Sequence, residues 1–274
     1  MTTVEGTASK GAPRAASASL DARTLRRVFF RSLFLQAAWN PKGMQNLGFA
    51  YALYPALERL YPDPKDLARA TERHLTCFNS HPYFAATIVG GAVHHEERVA
   101  RGEEPPEAVN AYKISLMGPL AALGDGFFWL SLRPACGALA SLLALLFVLS
   151  GKPVIAAVVG VGFYLLAYNG VHVAMRARFF VQGYRLGDQV VERIAASQLP
   201  AYGQRLRSLA AVAAGAAGGL SALALPVDPR LERFAAVGAI GLFAACYAAL
   251  AKGLSPYALA YAAAALALCI GLFF

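Results

Sequence analysis

The sequence predicts an all-α integral membrane protein, with re-entrant or broken helices in its N-terminal half followed by about five transmembrane helices. Three observations predict it. The 274-residue chain is 57% hydrophobic and only 15% charged, with a mean hydropathy of +0.47, which is more apolar surface than one soluble core of this length needs. Long, nearly charge-free runs follow one another after Pro134. Before Pro134, apolar segments are interrupted by prolines, amides and ionisable groups.

The chain divides into three parts. Residues 1–22 contain Ala, Ser and Thr with scattered Lys10 and Arg14, lack the apolar stretch of a cleaved signal peptide, and read as a disordered cytoplasmic tail. Residues 23–134 form a broken-helix or re-entrant region. Val28 to Leu60 is interrupted by Asn40-Pro41-Lys42-Gly43 and by Pro55, Leu67 to Arg101 ends in His94-His95-Glu96-Glu97-Arg98, and Asn110 to Arg133 is expected to break at Gly118-Pro119. Irregular backbone at membrane depth is tolerated where protein or a wet cavity satisfies it, so the binding site is expected between residues 36 and 133.

Residues 135–274 form the transmembrane region. The runs Ala135–Ser150, Pro153–Met175, Leu209–Pro226, Phe234–Ala251 and Ser255–Phe274 each approach the roughly 20 helical residues that span hydrocarbon. Between the second and third lies a basic stretch at about 176–207, with Arg176, Arg178, Arg185, Arg193, Arg205 and Arg207 against Asp188 and Glu192. The positive-inside rule makes it a cytoplasmic loop and, with Arg23, Arg26, Arg27 and Arg31, puts the N-terminus in the cytoplasm. Arg230 and Arg233, on the outer side in this arrangement, dissent. The net charge of +9 therefore reads as topology, not as nucleic-acid binding.

An ionisable residue at membrane depth is a functional-site hypothesis. If a helix restarts near Leu120, Asp125, Trp129 and Arg133 at spacings of four share one face. An acceptor, an apolar ring and a donor fork suit a sugar's hydroxyls and C–H face, and they equally suit charge neutralisation between packed helices. Asn79-Ser80-His81-Pro82 reads as a helix cap with Pro82 in the first turn. Asn79 and His81, like Trp39, Asn40 and Gln45, either bind a polyhydroxylated ligand or only shape the backbone.

Other chemistries find little support. Neighbours on a helix splay by about 100°, so His94, His95, Glu96 and Glu97 make a poor metal site, and no cofactor is expected. His74 and His172 stand without a serine or cysteine nucleophile in an elbow, and there is no phosphate-binding glycine loop. Cys77, Cys136, Cys246 and Cys269 lack metal or redox spacing.

Five strings carry a resemblance: F-L-Q-A-A-W-N-P-K-G-M-Q-N-L-G-F, H-L-T-C-F-N-S-H-P-Y-F-A, H-E-E-R-V-A-R-G, I-S-L-M-G-P-L-A-A-L-G-D-G-F-F-W-L-S-L-R-P and G-Y-R-L-G, in order over about residues 24 to 188. They resemble the IID component of the mannose/fructose/sorbose family of bacterial sugar phosphotransferase systems. The resemblance implies a multi-pass subunit of the bacterial inner membrane that pairs with a IIC membrane subunit to pass a hexose-type sugar, the pairs assembling further. It implies phosphoryl transfer through separate IIA and IIB components, and no phosphorylated nucleophile in this chain. The family's polar positions correspond to Trp39, Asn40, Gln45, Asn79, Glu96, Glu97, Lys113, Asp125, Trp129 and Arg133. The alternative is a regulatory or structural membrane subunit that has kept the fold without transport.

Overall fold

The structure is a computed structural model that describes residues 20–223 and 232–255, together with Ala258, Leu259, Tyr261, Ala262 and Ala265. Most of the tail at 1–22 and most of the last apolar run lie outside the described residues. The described chain is helical, and two isolated bridges, Asn40 to Met44 and Met44 to Phe78, are its only extended pairings.

Three short helices open the chain: α1 (Ala22–Ser32), α2 (Asn46–Leu60) and α3 (Pro64–His74). At 11, 15 and 11 residues each falls short of the roughly 20 needed to cross a bilayer. Asp21 caps α1 by accepting from the Thr24 amide, and Asp63 caps α3 by accepting from the Lys65 and Asp66 amides, with Pro64 in the first turn. Pro55 lies inside α2 and does not end it. The α1–α2 connection carries Met44 in the left-handed region at φ 58°. Flanking bonds hold it there, including Met44 N–H to Asn40 O at 2.8 Å and Gln45 N–H to Phe78 O at 2.8 Å.

At the centre lies α4 (Ala85–Ala100), with thirteen of its sixteen residues buried. It packs on α7 (Pro153–Leu186) through a reciprocal glycine contact. A Cβ on Gly90 would lie 2.2 Å from Phe180 O, and one on Gly183 would lie 2.2 Å from Thr87 O. Only glycine permits these backbones to come so close, and such packing drives helix association where lipid supplies no hydrophobic gain.

Between them in sequence, α5 (Pro106–Gly124), a π-helical segment (Asp125–Leu132) and α6 (Arg133–Leu149) form one continuous 44-residue rod. The expected break at Gly118-Pro119 is therefore corrected: Pro119 sits inside α5, since losing one donor does not end a helix whose neighbours compensate. The irregularity comes six residues later, as the π wind. There Ser131 Oγ donates to Gly126 O at 2.7 Å and satisfies a carbonyl of the rewound turn.

The α6–α7 turn is a Schellman close, with Gly151 at φ 71°, its N–H bonded to Val148 O, and the Lys152 N–H bonded to Phe147 O, both at 2.9 Å. Helix α7 does not stop at Met175. It runs through Arg176 to Leu186 and continues by a 3-10 turn (Gly187–Gln189) into α8 (Val190–Ala195), so the basic stretch at 176–207 is mostly helix, and α9 (Leu199–Leu223) completes it. Arg176 is tolerated because its Nη2 donates to Ser32 O, the last carbonyl of α1, where a cation also meets the helix dipole.

Two described helices, Pro106–Leu149 and Pro153–Ala195, are long and apolar enough to cross a membrane. Residues 221–274 form a separate compact unit containing α10 (Glu232–Ala251), whose Leu242, Phe243 and Tyr247 are exposed. Among the described cysteines Cys77 is exposed, Cys136 buried and Cys246 half-buried, all as free thiols.

Candidate functional site

The expected site residues separate into two neighbourhoods. The first is an ionic knot around Glu96, which is 0% exposed. Its Oε1 accepts from Arg73 Nε and lies against His74 Nε2, each at 2.7 Å, and its Oε2 accepts from Arg73 Nη2 at 3.0 Å and from the Tyr61 hydroxyl at 2.6 Å. Burial pushes the Glu96 carboxyl up, but the hydrogen bonds from His74 and Arg73 outweigh it and hold it down at about 2. Burial, in turn, pushes His74 below its ordinary value despite the nearby carboxylate. Lys113 joins from α5, its Nζ donating to Arg73 O at 3.1 Å, Thr76 Oγ1 at 3.2 Å and Asn110 Oδ1 at 3.3 Å.

The four residues His94 to Glu97 splay to separate neighbours, only Tyr184 being shared, by His94 and Glu97. His94 Nδ1 lies 2.9 Å from Tyr184 O, His95 Nδ1 lies 2.7 Å from Glu104 Oε2, Glu96 enters the knot, and Glu97 Oε1 accepts from Leu20 N–H at 2.7 Å and from the Tyr184 hydroxyl at 3.0 Å. The end of α4 is thereby tied to α3, the α4–α5 turn, α7 and the start of α1.

The second neighbourhood gathers at the π segment. Phe127, Phe128, Ser131 and Leu132 are buried, whereas Asp125 is half-buried, Trp129 is 43% exposed and Arg133 is exposed, so the three polar or amphipathic positions occupy the outward side. The Asp125 carboxylate makes no hydrogen bond or ion pair with any described residue, and it stands in an apolar rod. Inside that turn His81, 2% exposed, stacks on Phe128 with centroids 5.2 Å apart and 13° between planes, and sits 4.9 Å from Trp129. Gly124 makes room for it, since a Cβ there would lie 2.3 Å from His81 Cγ.

Sequence reasoning missed the partners of this cluster. Tyr83 lies edge-on to His81 and stacks on His172 at 4.1 Å and 9°, and its hydroxyl is 3.3 Å from that of Tyr168. His81 Nε2, His172 Nδ1 and Arg176 Nε are buried with no hydrogen-bond partner among the described residues. Three unsatisfied polar nitrogens around one aromatic stack make this a place where a hydrogen-bonding ligand or ordered water gains energy. The sequence signals were Arg176 at the end of an apolar run and the isolated His172, and neither pointed to this cluster.

The remaining candidates shape the N-terminal turn. Gln45 is buried and clamps the 78–80 loop, its Nε2 donating to Ser80 O at 2.9 Å and its Oε1 accepting from Ser80 N–H at 3.0 Å. Asn40 Oδ1 accepts from Gly43 N–H and its Nδ2 donates to Asn46 Oδ1. Trp39 and Asn79 are exposed. The expected cap at Asn79-Ser80 is corrected: α4 begins at Ala85 with Phe84 before it and no side-chain cap. The Ser80 amide is already taken by Gln45, and the Asn79 amide donates to Met117 Sδ at 3.1 Å.

The chain is similar to known proteins. The family model of the PTS system mannose/fructose/sorbose family IID component matches residues 19–223. The mannose-specific EIID component of Escherichia coli K12 is 38% identical over 170 residues, 61% of this chain and 57% of that protein. The fructose permease IID component of Bacillus subtilis is 32% identical over 173 residues, 63% of this chain and 60% of that protein. The matched region thus spans under two thirds of the length of these curated relatives. A chain in the cryo-EM structure of the mannose transporter ManYZ in complex with microcin E492 matches with a TM-score of 0.56 at 27% identity, over 92% of this chain and 96% of that one. A structure described as a membrane protein matches with a TM-score of 0.65 at 27% identity. With a match over the whole of both neighbourhoods, the chain belongs to the IID component family of mannose/fructose/sorbose phosphotransferase systems.

Proposed function

We propose that the chain is the IID membrane subunit of a mannose-type sugar phosphotransferase system. In this reading it forms, with a IIC subunit, the pathway for a hexose-type sugar, and separate IIA and IIB components supply the phosphoryl group. The carrying observation is Asp125, a carboxylate without a hydrogen-bond or ion-pair partner among the described residues, followed along the same membrane-length apolar rod by the exposed Trp129 and Arg133. A charge so placed faces a wet cavity or another protein.

Sugar contact is assigned to Asp125, Trp129 and Arg133, with His81 reaching the same turn from behind. Trp39, Asn40 and Asn79 flank the pathway from the N-terminal turn. Gln45, Glu96 and Lys113 act by holding that architecture, because internal groups occupy their polar atoms. The chain crosses the bacterial inner membrane several times with its N-terminus in the cytoplasm, and the IIC/IID pairs assemble further. Helices α9 and α10, at 25 and 20 residues, support spans beyond the two long apolar rods.

Uptake of labelled hexose by cells with and without the chain, with pull-down of its membrane partners, tests this reading. Loss of uptake on deletion, together with a co-purifying IIC subunit, is expected. Unchanged uptake with intact complex would favour a subunit that kept the fold without transport.

A further inference from the structure

We infer that the C-terminal end of α7, with α8, forms a binding site for the headgroup of an anionic phospholipid. Arg178, Arg185 and Arg193 line one cavity of about 670 Å3, and Arg178 and Arg193 continue into a second of about 450 Å3. These volumes lie in the range of small-ligand sites.

None of the three arginines makes a hydrogen bond or an ion pair with a described residue, unlike Arg73, Arg98, Arg101, Arg176 and Arg207. The acidic residues nearest in sequence, Asp188 and Glu192, line neither cavity, and Asp188 Oδ1 lies 3.6 Å from His95 Nε2. Three arginines from two helices therefore line one cavity that has no carboxylate among its lining residues. Planar forks of this kind match the oxygens of a phosphate.

A second, separate feature narrows the ligand. Gln182 lines both cavities, and its Oε1 is buried with no donor among the described residues. A headgroup hydroxyl or amine beside the phosphate supplies that donor while the phosphate oxygens face the arginines. Val181 and Leu186 line the same large cavity, and Val181 is exposed, giving an acyl chain an apolar path onto α7. The site stands where a membrane-length helix gives way to basic residues, the position at which basic pockets take anionic headgroups. It rests on the membrane placement of α7 and not on whether the chain conducts sugar.

The test uses the full chain, delipidated in detergent and titrated in a calorimeter with short-chain phosphatidylglycerol, short-chain phosphatidylcholine and inorganic phosphate. Phosphatidylglycerol is expected to bind at least tenfold more tightly than either alternative. Each Arg→Ala change at 178, 185 or 193 is expected to weaken it about fivefold, the attraction typical of one juxtamembrane cation. The triple Arg→Lys variant, which preserves charge and topology, is expected to lose less than the triple Arg→Ala variant. Equal binding of phosphatidylcholine, equal binding of inorganic phosphate, or unchanged affinity in a folded triple Arg→Ala variant would overturn the assignment.

Discussion

Replacing Glu96 by Gln probes the ionic knot with almost no change of volume. The amide keeps one acceptor oxygen but loses the charge, so Arg73, with 14% of its side chain exposed, gives up a two-point charge-assisted contact, and His74 and Tyr61 compete for what is left. Removing one partner of a buried pair costs about 3–5 kcal/mol. A second route agrees: holding the carboxyl at about 2 against an ordinary 4.5 corresponds to about 3 kcal/mol at neutral pH. For a chain of this size that lowers the unfolding temperature by about 6–12 °C, followed by intrinsic fluorescence in detergent. The pH dependence has a fixed sign. A depressed carboxyl contributes stability above 4.5 that is lost as pH falls toward 2, and a depressed His74 removes stability as pH falls below its ordinary 6.5. The variant therefore flattens the lower part of the acid limb. Exposed Glu72, which makes no side-chain bond, serves as the control in Glu72→Gln. A shift under about 2 °C for Glu96→Gln, or one equal to the control, would refute the knot as a structural element.

Two further changes probe other joints. Gln45→Ala orphans both the Ser80 carbonyl and amide at a site that is 2% exposed, and it is expected to cost about 2–3 kcal/mol by thermal unfolding and to raise proteolysis near residue 79. Gly183→Leu drives a side chain into Thr87 O and is expected to abolish monodisperse protein on size exclusion, whereas Gly170→Leu, with open space at its Cβ, leaves it intact.

Much of this architecture was legible where the determinants are local. The interruption between the runs ending at Ser150 and starting at Pro153, and the divergence of His94 to Glu97, follow from residues a few positions apart. The expectation of irregular backbone within Asn110 to Arg133 placed attention on the correct rod but on the wrong turn. Proline is a visible signal, while a π wind is decided by packing of Phe127, Phe128 and Ser131. Arginine density suggested a loop at 176–207, yet a buried arginine survives in a helix when a distant carbonyl receives it, here 144 positions away at Ser32. The knot was hidden for the same reason, since Arg73 and His74 meet Glu96 across 23 and 22 positions. Asp125, Trp129 and Arg133 drew attention because a charged or aromatic group in an apolar run is informative by itself. The roles of Tyr83, Tyr168 and His172 depend on contacts that no spacing encodes.

The most direct measurement is hexose uptake by Asp125→Asn, normalised to the amount of assembled membrane complex recovered from the same cells. Aspartate and asparagine are isosteric, and the carboxylate makes no hydrogen bond or ion pair with a described residue, so complex yield is expected within twofold of the parent while uptake per complex falls at least tenfold. Unchanged uptake per complex, or a loss of complex that accounts for all the lost uptake, would contradict a sugar-facing role for the π segment.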